Sequence, residues 1–168
     1  GPAPARAMEP ESAPAPDTMA DAGLTSAALP DIGECFVYTS EDVPKSFSDA
    51  QDGISDLTVP ANDCEIADVN VYVSVSHDYI GDVSLTLHHV DTGSSATLID
   101  RPGRSEPPDP DEYYGCSGDD IEAWLDDGAT LPVEGQCAES VPAIQGTFSP
   151  NQLLSIFNGE YGAGAWVL

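Results

Sequence analysis

Carboxylates are the side chains of this sequence best placed to do chemistry. Asp and Glu number 30 against 4 Lys and Arg, a net charge of −26 over 168 residues. Calcium is a hard cation that takes about six to eight oxygens, mostly from carboxylates and backbone carbonyls. Asp82, Asp100, Asp119, Asp120, Asp126 and Asp127 stand at loop or strand-end positions and are the candidate ligands. No EF-hand loop is present. The competing reading of the same acidity is a solvated surface that keeps a secreted protein soluble, in salt that screens its self-repulsion.

The other reactive side chains assemble into nothing comparable. His77 closes a strand, where it is expected to fix the following turn by hydrogen bonding. His88 and His89 are adjacent on a strand and so face opposite ways, with no HExxH motif. No G-x-S-x-G is present, and no Ser/His/Asp set has a recognisable spacing. No catalytic residue is expected. Cys35, Cys64, Cys116 and Cys137 form no CxxC pair and have no His at zinc-finger spacing. Four widely spaced cysteines in an acidic chain fit disulfides made outside the cytosol. Three pairings are open. Cys35–Cys64 with Cys116–Cys137 is the expected one, because each pair then flanks a single segment.

Charge also excludes partners. Binding nucleic acid requires Lys and Arg to neutralise phosphates, and anionic membrane surfaces make the same demand. Insertion into a membrane is not expected either, since no apolar run approaches the roughly 18 residues a span needs. No signal peptide is visible, so an export signal is expected upstream.

The elements that must position these residues read as β-strands. Residues 1–33 contain nine Ala and six Pro, which predicts an acidic, disordered linker. From residue 34 the character changes. Cys35–Thr39 and Leu57–Val59 are expected strands. Val69, Val71, Val73 and Val75 alternate with polar residues, as do Val83, Leu85 and Leu87, and a third strand ends at Asp100. His77–Asp82 is expected to join the first two as a tight hairpin, with Gly81 supplying a conformation other residues resist. Weaker strands are expected at Asp120–Leu125 and Ala143–Phe148, a helical turn within Pro150–Phe157, and a last strand at Ala163–Leu168. An ending on Trp-Val-Leu suggests that a further strand has been lost. Many short strands and no long amphipathic helix predict an all-β sandwich over 34–168.

His77-Asp78-Tyr79-Ile80-Gly81-Asp82-Val83-Ser84-Leu85-Thr86-Leu87 resembles the H-T-Y-x-G-D-L-x-I-x-L core of the P domain, or Homo B domain. That module follows the catalytic domain of kexin- and furin-like proprotein convertases and of many bacterial subtilisin-like serine proteases. Val69 to Ser76 is similar to its V-x-V-x-V-x-I strand. Further along, Thr97–Arg101, Gly118–Ala129, Gly146–Pro150 with Leu153–Gly159, and Gly162–Leu168 resemble its L-L strand and its F-D-D-x-A, G-x-F-x-P…L-S-x-F-x-G and G-x-G-x-W-x-L elements, in that order. The four cysteines are not a general feature of the family, and its continuation after G-x-W-x-L is missing.

The resemblance implies a jelly-roll β-sandwich of the galactose-binding-like kind, C-terminally truncated. It also implies a secreted or cell-surface bacterial protein whose catalytic protease domain lies in the same polypeptide, and places the six aspartates inside matched motifs. The expected function is that of a non-catalytic accessory domain. A calcium-dependent binding or adhesion sandwich on a non-protease surface protein is the alternative, and a free-standing enzyme a weaker third.

Overall fold

The structure, a computed structural model, describes residues 36–48, 52–104 and 115–168. The chain divides into Gly1–Glu34 and Cys35–Leu168. The linker expected over 1–33 lies outside the described residues.

Among the described residues of the second unit there are seven strands: β1 Asp56–Val59, β2 Val71–Val75, β3 Ser84–His89, β4 Ser94–Asp100, β5 Ile121–Leu125, β6 Ile144–Phe148 and β7 Gly164–Val167. Only short 3-10 turns, at Ile80–Asp82, Val133–Gly135 and Leu154–Phe157, interrupt them among the described residues. The chain is all-β. Alternation of apolar and polar residues gives a strand one face to bury, most regularly in β5, where Ile121, Ala123 and Leu125 are buried while Glu122 and Trp124 are exposed. A sheet with one apolar face must cover it, and here two sheets do so for each other. One has the order β1-β7-β3-β4 and the other β2-β5-β6. Leu87, Leu98 and Trp166 from the first and Val73, Ile121, Leu125 and Ile144 from the second belong to a single buried cluster.

This topology corrects the expected hairpin. β2 pairs with β5, and β3 with β4 and β7, so the alternating runs on either side of His77–Asp82 belong to different sheets. That link is a corner between sheets. β3 and β4 do form a true antiparallel hairpin, with Gly93 at φ +78° in its turn. The last strand, β7, is interior to its sheet, flanked by β1 and β3. Asn151 and Gln152 donate backbone N–H groups to Leu98 and Thr97, and so cover the outer edge of β4.

Phe36–Thr39, the described part of the first expected strand, is not a strand, and Phe36, Val37 and Tyr38 remain exposed. The chain is fastened just beyond them instead. Asp42 accepts hydrogen bonds from Ser40, Ser55 and the Asp56 N–H, and pairs with Lys45 at 2.9 Å. The Ser40 bond foremost, then Lys45 and Ser55, hold the Asp42 carboxyl far below the usual carboxylate range.

Candidate functional site

The corner His77–Asp82 is built from hydrogen bonds of its backbone and of the His77 ring. His77 N–H donates to Asp120 Oδ1 at 3.0 Å, and Asp120 N–H returns a bond to the His77 carbonyl at 3.1 Å. That clasp holds Asp120 in the left-handed region, φ 65°, which Asp tolerates better than most residues. His77 Nδ1 in turn accepts the Tyr79 N–H at 3.0 Å. Hydrogen bonding is therefore the work of His77, and what it fixes is the passage from β2 to β3. Gly81 also differs from expectation. It is absent from the positive-φ glycines, and its reason is space: a Cβ there would meet Cys116 N at 2.6 Å and the Gly115 carbonyl carbon at 2.7 Å. The Gly81 N–H donates to the Cys116 carbonyl at 2.8 Å, which draws the two backbones together.

Cys116, buried, is bonded to Cys137 as expected. Cys64 is a free, exposed thiol, and its expected partner Cys35 lies outside the described residues.

The six aspartates are divided by the strand they flank. Asp82 sits in the Ile80–Asp82 turn, and Asp100 ends β4, in register with Ser84 at the start of β3. Asp119 and Asp120 precede β5, while Asp126 and Asp127 follow it. At about 3.3 Å per residue, Asp120 and Asp126 are roughly 20 Å apart, so the six do not share one ion. Several are committed to backbone groups. Asp126 Oδ1 accepts the Gly128 N–H at 2.6 Å, closing the turn after β5. The two oxygens of Asp127 accept the Leu154 and Ser155 N–H groups at 2.7 and 2.8 Å. Those donors open the 3-10 turn Leu154–Phe157, whose Leu154 and Phe157 are buried. Among the described residues, no group of three or more His, Cys, Asp or Glu side chains is gathered for a metal ion.

A buried polar cluster was not anticipated. His89 is 1% exposed and stacks on Trp166, with ring centres 4.1 Å apart and planes 5° from parallel. Its Nδ1 meets Glu160 Oε2 at 2.8 Å, and the Ala163 carbonyl lies 3.3 Å from Nε2. Glu160 also accepts from Thr92 Oγ1 at 2.9 Å and from Ser94 Oγ. Burial opposes ionisation of Glu160, but the bonds from Ser94, His89 and Thr92 outweigh it and lower its pKa. The signal for His89 was its phase: it continues the buried face of Leu87, while His88 turns outward as expected. Nothing in the sequence placed Glu160 opposite it.

No serine hydroxyl is bonded to a histidine among the described residues, and no helix there is long and apolar enough to cross a membrane. Compared with protein-family models, curated proteins and solved structures, the chain matches none.

Proposed function

We propose that this chain is a non-catalytic accessory sandwich of the P/Homo B kind, with a jelly-roll topology, exported as part of a protease. The parent that fits best is a subtilisin-like serine endopeptidase in the same polypeptide. The observation that supports this reading is the His77–Leu87 corner. His77, Tyr79, Gly81 and Asp82 carry the motif, and three of them act on backbone packing: His77 through its Nδ1, Tyr79 through its hydroxyl, which donates to the Gly115 carbonyl at 3.4 Å, and Gly81 through the space it leaves. A motif spent on a corner suits a module whose task is to hold a shape. The Cys116–Cys137 bond is compatible with export.

The mechanism follows from linkage. A rigid sandwich that docks only on the folded catalytic domain withdraws that domain from its unfolded state, and so stabilises it or positions it. Two measurements test the reading. The chain alone, freed of contaminating proteases, is expected to cleave neither casein nor chromogenic peptides. The complete reading frame is expected to encode a protease domain whose activity survives heat for less time once residues 34–168 are deleted. Peptidase activity of the chain alone would overturn the reading. A reading frame with tandem sandwiches or a surface anchor, and no protease, would transfer it to the adhesion alternative.

A further inference from the structure

We infer that the outward face of the β2-β5-β6 sheet binds a cationic polypeptide segment, bearing Arg or Lys, through Tyr72 and Trp124. The alternation that buries Val73 and Ala123 turns Tyr72 and Trp124 to solvent, where they are 50% and 47% exposed. They are direct cross-strand partners, with ring centres 5.3 Å apart and planes tilted by 50°. Exposed apolar residues scattered singly need no explanation. Here two large aromatics are in register, one of them on the central strand of the sheet.

Charge selects the occupant. Lys45, Arg101 and Arg104, the basic residues of the second unit, all lie off these three strands, and Lys45 is already paired with Asp42. On the same face, Glu122 has only a 3.4 Å contact from Gln145 Nε2. The sequence of β5 and its flanks is Asp119-Asp120-Ile-Glu122-Ala-Trp124-Leu-Asp126-Asp127, so the aromatic pair lies between carboxylates at both ends of the strand. An aromatic face attracts guanidinium and ammonium groups through its quadrupole, and surrounding negative charge adds to that attraction. The same field repels phosphates, and it repels a second copy of a chain carrying −26. This binding is independent of whether a protease shares the polypeptide, so its failure and that of the proposed function are separable.

The test uses the whole chain and an amidated pentapeptide of alternating glycine and arginine, titrated in about 0.3 M salt to screen diffuse attraction. Binding affinity is measured by isothermal titration calorimetry for wild type and every variant, and located in wild type by the indole N–H resonance of Trp124, with the glutamate analogue and a neutral glucose hexasaccharide as comparisons. Saturable binding of the arginine peptide alone is expected. Tyr72→Thr and Trp124→Thr, which keep a strand-forming residue, are each expected to weaken it at least about fivefold without changing the melting temperature. Glu122→Gln is expected to weaken it, while Glu65→Gln, the same charge change at a residue that bridges to Tyr161 and lies on none of these three strands, is not. Equal affinity in wild type and Trp124→Thr would reduce the attraction to net charge and overturn the proposal. Tighter binding of the hexasaccharide on the same resonance would overturn it in favour of a glycan.

Discussion

The imidazole of His89 and the carboxylate of Glu160 meet at 2.8 Å across 71 residues of sequence, tying the end of β3 to the segment leading into β7. A carboxylate only accepts, so Nδ1 carries the proton. With Trp166 flat against the other side of the ring, His89 is fixed from two directions.

Replacing Glu160 by Ala leaves that buried N–H and the Ser94 hydroxyl without their acceptor, while the Thr92 hydroxyl keeps the His89 carbonyl at 3.3 Å. The expected loss is about 2–3 kcal/mol in a denaturant melt at neutral pH, the usual cost of stranding buried donors of a charged acceptor. The pH dependence has a definite sign. The folded pKa of Glu160 is lowered, so its contribution is complete above the ordinary carboxylate range and is lost as pH falls through the folded value. The stability gap between wild type and Glu160→Ala is therefore expected to narrow on acidification below about 4.5, the ordinary value for a glutamate. A gap that widens there would show that the carboxylate does not act through its charge.

How much of this was legible follows from the range of each signal. Alternation is local, and β2, β3, β5 and β6 form where Val71–Val75, Leu85–Leu87, Ile121–Leu125 and Ile144–Phe148 place them. Which strands pair is not local. Val73 and Leu87 bury equally well in one sheet or two, so periodicity could not tell that the His77–Asp82 link crosses between sheets. Nor could it show that Phe36–Thr39, apolar and β-branched, would find no partner strand. The aspartates at strand ends were recognised as special, but a carboxylate that closes a turn and one that binds an ion look alike until their N–H partners are known.

Gly81→Ala tests the corner. Its added methyl would meet backbone atoms of Gly115 and Cys116 at 2.6–2.8 Å, and backbone cannot swing aside as a side chain can. The expected cost is about 1–3 kcal/mol, the range for overpacking. Gly93→Ala provides the contrast, since a Cβ there meets nothing within 4 Å, but φ is +78°. Its cost is expected to be the backbone term alone, about 1 kcal/mol. Equal melting temperatures for Gly81→Ala and wild type would show that the close approach of Gly81 to Cys116 is not needed.

Joint replacement of Cys116 and Cys137 by Ser measures what their bond contributes. The bond closes a separation of 21 residues, and the chain-entropy account assigns such a loop about 3 kcal/mol. Cys116 is also buried in the core cluster, so an added serine hydroxyl lacks water there. The combined loss is expected to reach at least about 3 kcal/mol in urea, and a reducing agent is expected to lower the wild-type midpoint toward that of the double variant. Cys64→Ser, at an exposed free thiol, is expected to leave stability within about 0.5 kcal/mol. A double variant as stable as wild type would make the bond dispensable.

Asp127 separates the calcium expectation from a structural one. Its carboxylate holds two N–H groups at the start of the Leu154–Phe157 turn, a cap for donors that have no partner within the turn. Asp127→Ala is expected to cost about 1–2 kcal/mol, the scale of a lost carboxylate cap. Asp127→Asn, which retains one accepting oxygen, is expected to recover part of it. If the stabilising partner is the backbone, chelation changes nothing, and melts with and without EDTA are expected to superimpose for wild type and both variants. A wild-type melting temperature that falls in EDTA and returns with calcium would restore the ion, and its loss in Asp127→Asn, against its persistence in Asp119→Asn, would say at which end of β5 it sits.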